Sequence, residues 1–255
     1  MEVTRLGITP VKGARHAVRD ELVFDASGAV GDRAFCFVDA VSHQVLRTVQ
    51  NPRLLAIDAT YDGASLTLEL PDRTRVQGRP RPTGEMIESD YWGRRVRLEV
   101  MAGPFAELVS TYLGFPVLLA AAPRGQVIYG APISFVTTAS LRRVADRVGL
   151  TPDNLEAARF RATLLLGAGD EPFAEDAWAG RELAVGDARI RVREPIPRCA
   201  VVDLDPATGV AAAKVLKALA DLRPPQGPRQ LSFGWDAVVT RPGIVRPGDR
   251  VELLD

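Results

Sequence analysis

Apolar and polar positions alternate with a period of two through much of the first hundred residues. The clearest run sets Leu66, Leu68 and Leu70 against Thr67 and Glu69, and residues 94–101 repeat the pattern. Such alternation puts one face of a strand on a core and the other in water. β-prone runs cover 3–9, 21–24, 34–38, 45–47, 54–61 and 65–70, divided by turn signals at Ala26-Ser27-Gly28, Asp62-Gly63 and Pro71-Asp72. The stretch 78–88 holds two prolines and two glycines and reads as a loop. The period then changes to that of a helix in three places. Phe105, Leu108, Val109 and Tyr112 make one stripe over 104–113, with Gly114 at its end. Leu141, Val144, Ala145 and Val148 make a second stripe from Thr138 onward, stopped by Gly149. Val215, Leu216, Leu219 and Leu222 mark a third over 211–222, closed by Arg223-Pro224-Pro225. Strands are expected between these helices at 134–136, 163–166, 188–192, 200–204 and 251–254. The pattern predicts a mostly β (α+β) fold with a few helices around a barrel. A β-rich first part gives way to a mixed part near residue 100, and no long polar tether separates them.

Composition narrows the function classes. Apolar residues make up 46% and charged residues 25%, which is ordinary for a globular protein. Formal net charge is zero, so no bulk field draws the chain to nucleic acid or an anionic membrane surface. The longest apolar runs, such as 117–122, are too short to span a bilayer, so no membrane span is expected. Met1-Glu2-Val3 leads straight into a strand pattern. With two cysteines in 255 residues, that start gives a cytoplasmic expectation. Only Lys12, Lys214 and Lys217 are lysines, against 29 arginines. A GC-rich coding bias explains most of this. A lysine at position 12 still suggests a use for a compact ammonium charge.

Candidate chemistry centres on Cys199, in Pro-Ile-Pro-Arg-Cys. Two cysteines cannot build a metal cage or a multi-bridge framework. A lone cysteine beside Arg198 suits a nucleophile or a single thiolate ligand to a soft metal, because positive charge favours the thiolate. The alternative is a small side chain packed at the start of a strand. Cys36, in Ala-Phe-Cys-Phe-Val, reads as such a core residue. Asp205 opens Asp-Pro-Ala-Thr-Gly and is either a turn former or a proton donor and supporting group near Cys199. Arg159-Phe160-Arg161 in an extended segment would put both cations on one face and the ring in the core. Thr137, Thr138 and Ser140 open the second helix and serve either as caps or as an anion site. His16 and His43 show no metal spacing, and His16 beside Arg15 is expected to be exposed. No cysteine cluster for an iron–sulfur centre and no glycine-rich dinucleotide fingerprint occurs.

In order along the chain, Pro10-Val11-Lys12, Gly31-Asp32-Arg33, Arg159-Phe160-Arg161, Phe173 to Trp178, Leu183 to Val192, Pro197-Arg198-Cys199, Asp205 to Gly209 and Val245 to Asp249 form a series. Their sequence and spacing resemble the MOSC family, the molybdenum cofactor sulfurase C-terminal domains. Within it the match is to the branch with an N-terminal β-barrel domain that includes the amidoxime-reducing components. The resemblance implies such an N-terminal domain over 1–100 and a MOSC β-barrel over 101–255. It also implies a molybdenum cofactor (Mo-molybdopterin), with Cys199 on the metal. Lys12, Arg33, Thr137, Arg159, Arg161, Thr163 and Arg198 would help to bind the cofactor. The implied reaction is reduction of N-hydroxylated or N-oxide compounds. Electrons would come from a separate partner, a ferredoxin-like protein or a flavin reductase. Alternatives within the resemblance are a cofactor carrier or sulfur-transfer module using Cys199, or a metal-free protein that binds an anionic ligand. Where Pro-Asn usually follows Arg-Phe-Arg, this chain has Ala162-Thr163, so an amide fork is replaced by one hydroxyl.

Overall fold

A computed structural model describes residues 1–151, 157–223 and 231–254. The chain is mostly β, as the pattern implies. The largest sheet has eight strands in the order Val251–Leu254, Glu182–Val185, Ala188–Pro197, Ser232–Arg241, Ile133–Thr137, Leu164–Gly167, Glu2–Ile8 and Ala17–Arg19. Its apolar face buries Leu6, Phe135, Leu164, Ile190 and Val251 in one core, which Phe24 of the strand Leu22–Asp25 joins. No sheet among the described residues closes into a full barrel. The large sheet does curl back on itself: Val3 N donates to Asp249 O at 2.9 Å and Gly248 N to Val3 O at 2.7 Å. A second sheet has five strands, ordered Arg81–Tyr91, Arg94–Ala102, Val117–Ala121, Phe35–Asp39 and Val11–Lys12. Two three-stranded sheets complete the β structure. The chain leaves the large sheet at Ile8 and enters the five-stranded one at Val11, so Thr9 and Pro10 link the two.

Helices α1 (Phe105–Leu113) and α2 (Thr138–Val148) fall where the 3.6 period puts them. Each ends on a left-handed glycine, Gly114 at φ 87° and Gly149 at φ 78°. Helix α3 (Val215–Leu222) starts four residues later than expected. Its would-be first turn is held elsewhere: Ala212 N and Ala213 N both donate to Asp203 O. The prolines expected to stop it lie outside the described residues.

Several segments differ from the pattern. Residues 81–91 form a strand rather than a loop. It is the edge of its sheet, so Pro82 removes no ladder bond that a neighbour needs. A register shift between Pro82 and Met86, with Gly84 at φ 82°, bends it into a bulge. Residues 81–86 are exposed, so no alternation marks them. Pro52–Ala56 is a 3₁₀ turn led by proline, and the strand begins only at Asp58. Residues 45–47 contribute only a bridge from Val45 to Val38. Ala200–Asp203 is a 3₁₀ turn, not a strand. Ser232–Arg241, where the pattern predicts no strand, is a central strand of the large sheet.

Candidate active site

A cavity of about 280 Å³ opens where the two large sheets meet. From the N-terminal side come Lys12, Arg33 and Arg47. The tip of the edge hairpin adds Tyr91 and Trp92. From the other side come Ser134, Arg159, Phe160, Arg161, Arg198 and Cys199. Lys12, Arg33, Arg159, Arg161, Arg198 and Cys199 therefore share one wall system, drawn from segments up to 187 residues apart in sequence.

Local structure explains how each is held. Asp32 is buried, accepts Thr9 N at 2.8 Å, and pairs with Arg33. Arg33 itself sits at φ 46°. The Arg159-Phe160-Arg161 segment is not extended: Ala157–Phe160 is a 3₁₀ turn and Arg161 lies at φ 52°. Both arginines still line the cavity, and Phe160 lines it too, its ring centroid 4.4 Å from that of Phe233. Arg161 Nη2 donates to the carbonyls of Gly13 and Ala14 at 2.7 and 2.8 Å, tying the Lys12 loop to the opposite sheet. Arg159 Nη1 donates to Val202 O and Leu204 O. Those carbonyls serve a guanidinium instead of a strand neighbour, which is why 200–203 winds into a turn. Arg198 donates from Nε to Phe233 O at 2.7 Å and from Nη1 to Phe160 O at 3.0 Å. Its Nη2 is buried with no hydrogen-bond partner.

Electrostatics follow from this crowding. Among the described residues no carboxylate lines the cavity. Lys12 Nζ stands 5.7 Å from the Tyr91 ring centroid and forms no hydrogen bond or ion pair with the described residues. Burial, with Arg33 and Arg161 nearby, brings the Lys12 ammonium down to about 7. Burial and Arg33 bring Arg161 down to about 9, and burial brings Arg198 down to about 9. His16 is half-buried against Gly7, not exposed. Burial and the charges of Arg33 and Arg161 keep its pKa well below the ordinary value, so it stays neutral. Cys36 is buried and its thiol is pushed up to about 12 by desolvation, which makes it an inert core side chain. Cys199 is the opposite case: exposed, with an extended backbone, at the start of the 200–203 turn.

Three further candidates from the sequence do not line the cavity. Thr137 is buried, caps α2 through Ser140 N, and donates to Glu175 Oε2 at 3.0 Å. Thr163 lies behind Ser134, whose N donates to its hydroxyl at 3.2 Å; Ser134 is the residue that reaches the cavity. Asp205 accepts Ala207 N, Thr208 N and the Thr208 hydroxyl within its own turn. Burial opposes its charge, but those donors outweigh it and hold the carboxyl below the usual range. The turn docks on the N-terminal segment through Arg15 Nη2 and Ala207 O at 2.9 Å. Arg47, Tyr91, Trp92, Tyr129 and Ser134 line the cavity without having been picked out from the sequence. Only the aromatic pair Tyr91-Trp92 before Gly93 carried any signal, as a hairpin tip.

The fold and this cavity define a strand-rich protein that presents a single reachable thiol beside a cationic cavity. The chain belongs to the MOSC domain family: the MOSC domain matches residues 116–252, and the MOSC N-terminal beta barrel domain matches residues 1–116. Among curated proteins it is similar to human mitochondrial amidoxime-reducing component 1, with 27% identity covering 99% of this chain and 82% of that protein. It is also similar to mitochondrial amidoxime reducing component 2 of Macaca fascicularis, with 26% identity covering 83% and 69%. Among solved structures, the YUAD protein of Bacillus subtilis matches with TM-score 0.45 and 14% identity, over 99% of this chain and 94% of that one. YiiM of Geobacillus stearothermophilus matches with TM-score 0.37 and 17% identity, over 49% of this chain and 54% of that one.

Proposed function

We propose that the protein is a molybdenum cofactor-dependent reductase of N-oxygenated compounds that receives electrons from a separate protein. One observation carries the reading: an exposed thiol, Cys199, shares a cavity with six cations and, among the described residues, no lining carboxylate. The residues suit the group. Thiolate is the donor a soft metal takes. Incompletely paired cations, the half-buried Lys12 and the buried Arg198 Nη2, suit a phosphate or a polar ring acceptor. Among the described residues no cluster of three or more His, Cys, Asp or Glu side chains offers a competing metal cage. The names of the curated relatives point to amidoximes as the substrate class.

When bound, the cofactor supplies two-electron reduction of an N–O bond. The chain's own residues do the rest. Cys199 would hold the metal. Lys12, Arg33, Arg161 and Arg198 would bind the anionic part of the cofactor. Guanidiniums kept rigid by Gly13, Ala14, Phe160 and Phe233 carbonyls can stabilise charge that develops on the leaving oxygen without moving. Overall the substrate takes up two electrons and two protons and releases water. The electrons come from a ferredoxin-like or flavin-bearing partner in a reducing compartment, where both cysteines stay free.

The test is elemental analysis of protein made in a cofactor-producing host. Wild type should carry stoichiometric molybdenum, and Cys199→Ser should lose it. Because Cys199 is exposed, the variant's unfolding free energy should stay within about 0.5 kcal/mol of wild type. Metal retained in the variant, or absent from wild type, contradicts the reading. Steady benzamidoxime turnover with NADH alone contradicts the separate donor. The exposure of Cys199 also suits a sulfur carrier, and a persulfide on Cys199 without molybdenum would favour that reading instead.

A further inference from the structure

The hairpin joining strands Arg81–Tyr91 and Arg94–Ala102 turns through two residues, Trp92 and Gly93. Both have positive φ, 56° and 76°, the mirror-image turn that suits Asn-Gly. A tryptophan in the first of these positions is sterically costly. Nor does burial compensate, since Trp92 is 52% exposed. Its neighbour across the mouth, Tyr129, is 48% exposed. The two rings meet edge-on, centroids 5.4 Å apart at 71°. Arg47 Cζ stands 4.5 Å from the Trp92 centroid and Arg47 reaches Asp90 at 3.8 Å. All three side chains line the cavity that holds Cys199. Two large aromatic surfaces are therefore kept wet beside the cavity that holds Cys199, one of them, Trp92, at a conformational cost. Strain of this kind is characteristic of ligand clamps.

We infer that Trp92 and Tyr129 form a recognition rim that selects substrates with a flat aryl group, with Arg47 fixing the Trp92 ring. The inference deepens the reductase reading and rests on it for the reacting group, whereas recognition of the aryl portion needs no metal. A flat ring entering the mouth covers aromatic surface now facing water and adds a third ring to an edge-on pair. An aliphatic amidoxime of the same reacting group gains none of this.

The decisive variant is Trp92→Asn, which removes the ring and installs a residue that the turn favours. The folded protein should therefore unfold at the same or a higher temperature than wild type; a ring needed only for packing would give a lower one. Binding of benzamidoxime and acetamidoxime to the full-length wild-type and variant proteins is measured by titration calorimetry. The benzamidoxime-over-acetamidoxime preference should fall about tenfold in Trp92→Asn, and by a smaller factor in Tyr129→Ala. An unchanged preference, or no benzamidoxime binding to wild type, overturns the rim. The loss of preference in protein that carries no molybdenum would sink the reductase reading while leaving the rim intact. Normal molybdenum content with unchanged preference would sink the rim alone.

Discussion

Three of the six non-glycine residues at positive φ among the described residues, Arg33, Trp92 and Arg161, line the cavity. Left-handed backbone is rare for such residues and collects where surrounding structure over-determines it. Arg33 is fixed by its pairing with Asp32 and by the hydrogen bond from its own N to Thr9 O. Arg161 is fixed by the Gly13 and Ala14 carbonyls. Arg198 is fixed partly by an absence of side chain. Gly234, at φ 72°, passes so close that a Cβ there would lie 2.6 Å from Phe135 O, 2.7 Å from Val136 Cγ1 and 3.2 Å from Arg198 Nη2. Gly234→Ala should therefore cost about 2–3 kcal/mol in denaturant unfolding and weaken any anion bound beside Arg198. Gly63→Ala is the control: φ is 94° but nothing lies within 4 Å, so strain alone acts and about 1 kcal/mol is expected. Equal costs at the two positions would mean that crowding at Gly234 is absorbed.

At the scale of elements, helix α2 begins on a closed polar knot. Thr137 caps it, Ser140 Oγ accepts Phe173 N at 2.7 Å, and the buried Glu175 carboxyl accepts from Thr137. Glu175 Oε1 has no partner, and burial raises the group's pKa above the ordinary carboxylate value. A folded pKa above the unfolded one means that the fold holds a proton which the unfolded chain has released. Stability from this group is fully present below about pH 4.5 and is lost as pH rises through the raised value. Glu175→Gln keeps the shape and removes the titration. Its unfolding free energy relative to wild type should improve from acid to neutral pH; a difference flat across that range would mean Glu175 ionises normally. This knot also shows what the sequence could reveal. The stripes of α1 and α2 and their glycine stops are repeated patterns, and they place both helices to within a residue or so. The elements that build the cavity have no such period. Carbonyls of Val202 and Leu204 go to Arg159, those of Gly13 and Ala14 to Arg161, and the strand 81–91 is exposed at its start. Backbone satisfied by side chains from distant segments leaves no local trace, so 159–161 and 200–204 read as extended when they are turns. Cys199 is marked by its rarity beside Arg198 and Lys12 by the scarcity of lysine, but only short motifs matched to a family bring them together with Arg33, Arg159, Arg161 and Arg198. Trp92, Tyr129 and Ser134 sit in no such motif.

For the whole molecule, folding concentrates positive charge in a chain whose formal net charge is zero. The two sheets each bring cations to their junction, while Asp32 is already paired with Arg33 and Asp90 with Arg47. Part of this charge is relieved by deprotonation, because Lys12 falls from 10.5 to about 7 through burial first and through Arg33 and Arg161 second. Neutral His16 and the high-pKa Cys36 thiol offer it no counter-charge. The sign for stability follows. Between about pH 7 and 10.5 the unfolded chain holds a proton at Lys12 that the folded chain lacks, so this group's contribution grows more favourable as pH rises through that window. Below about pH 7 the buried charge exerts its full penalty. An anion reverses the balance, since it favours the ammonium and its binding takes up a proton. Inorganic phosphate should therefore raise the unfolding midpoint of the cofactor-free protein more at about pH 6.5 than at about pH 9. In Lys12→Met the phosphate effect should be smaller and nearly flat with pH. That variant should also be stabilised relative to wild type at the lower pH, where it removes a buried charge. If phosphate protects wild type and Lys12→Met equally at both pH values, the cationic floor is not where the anion binds, and the clasp assigned to Lys12, Arg33 and Arg161 fails with it.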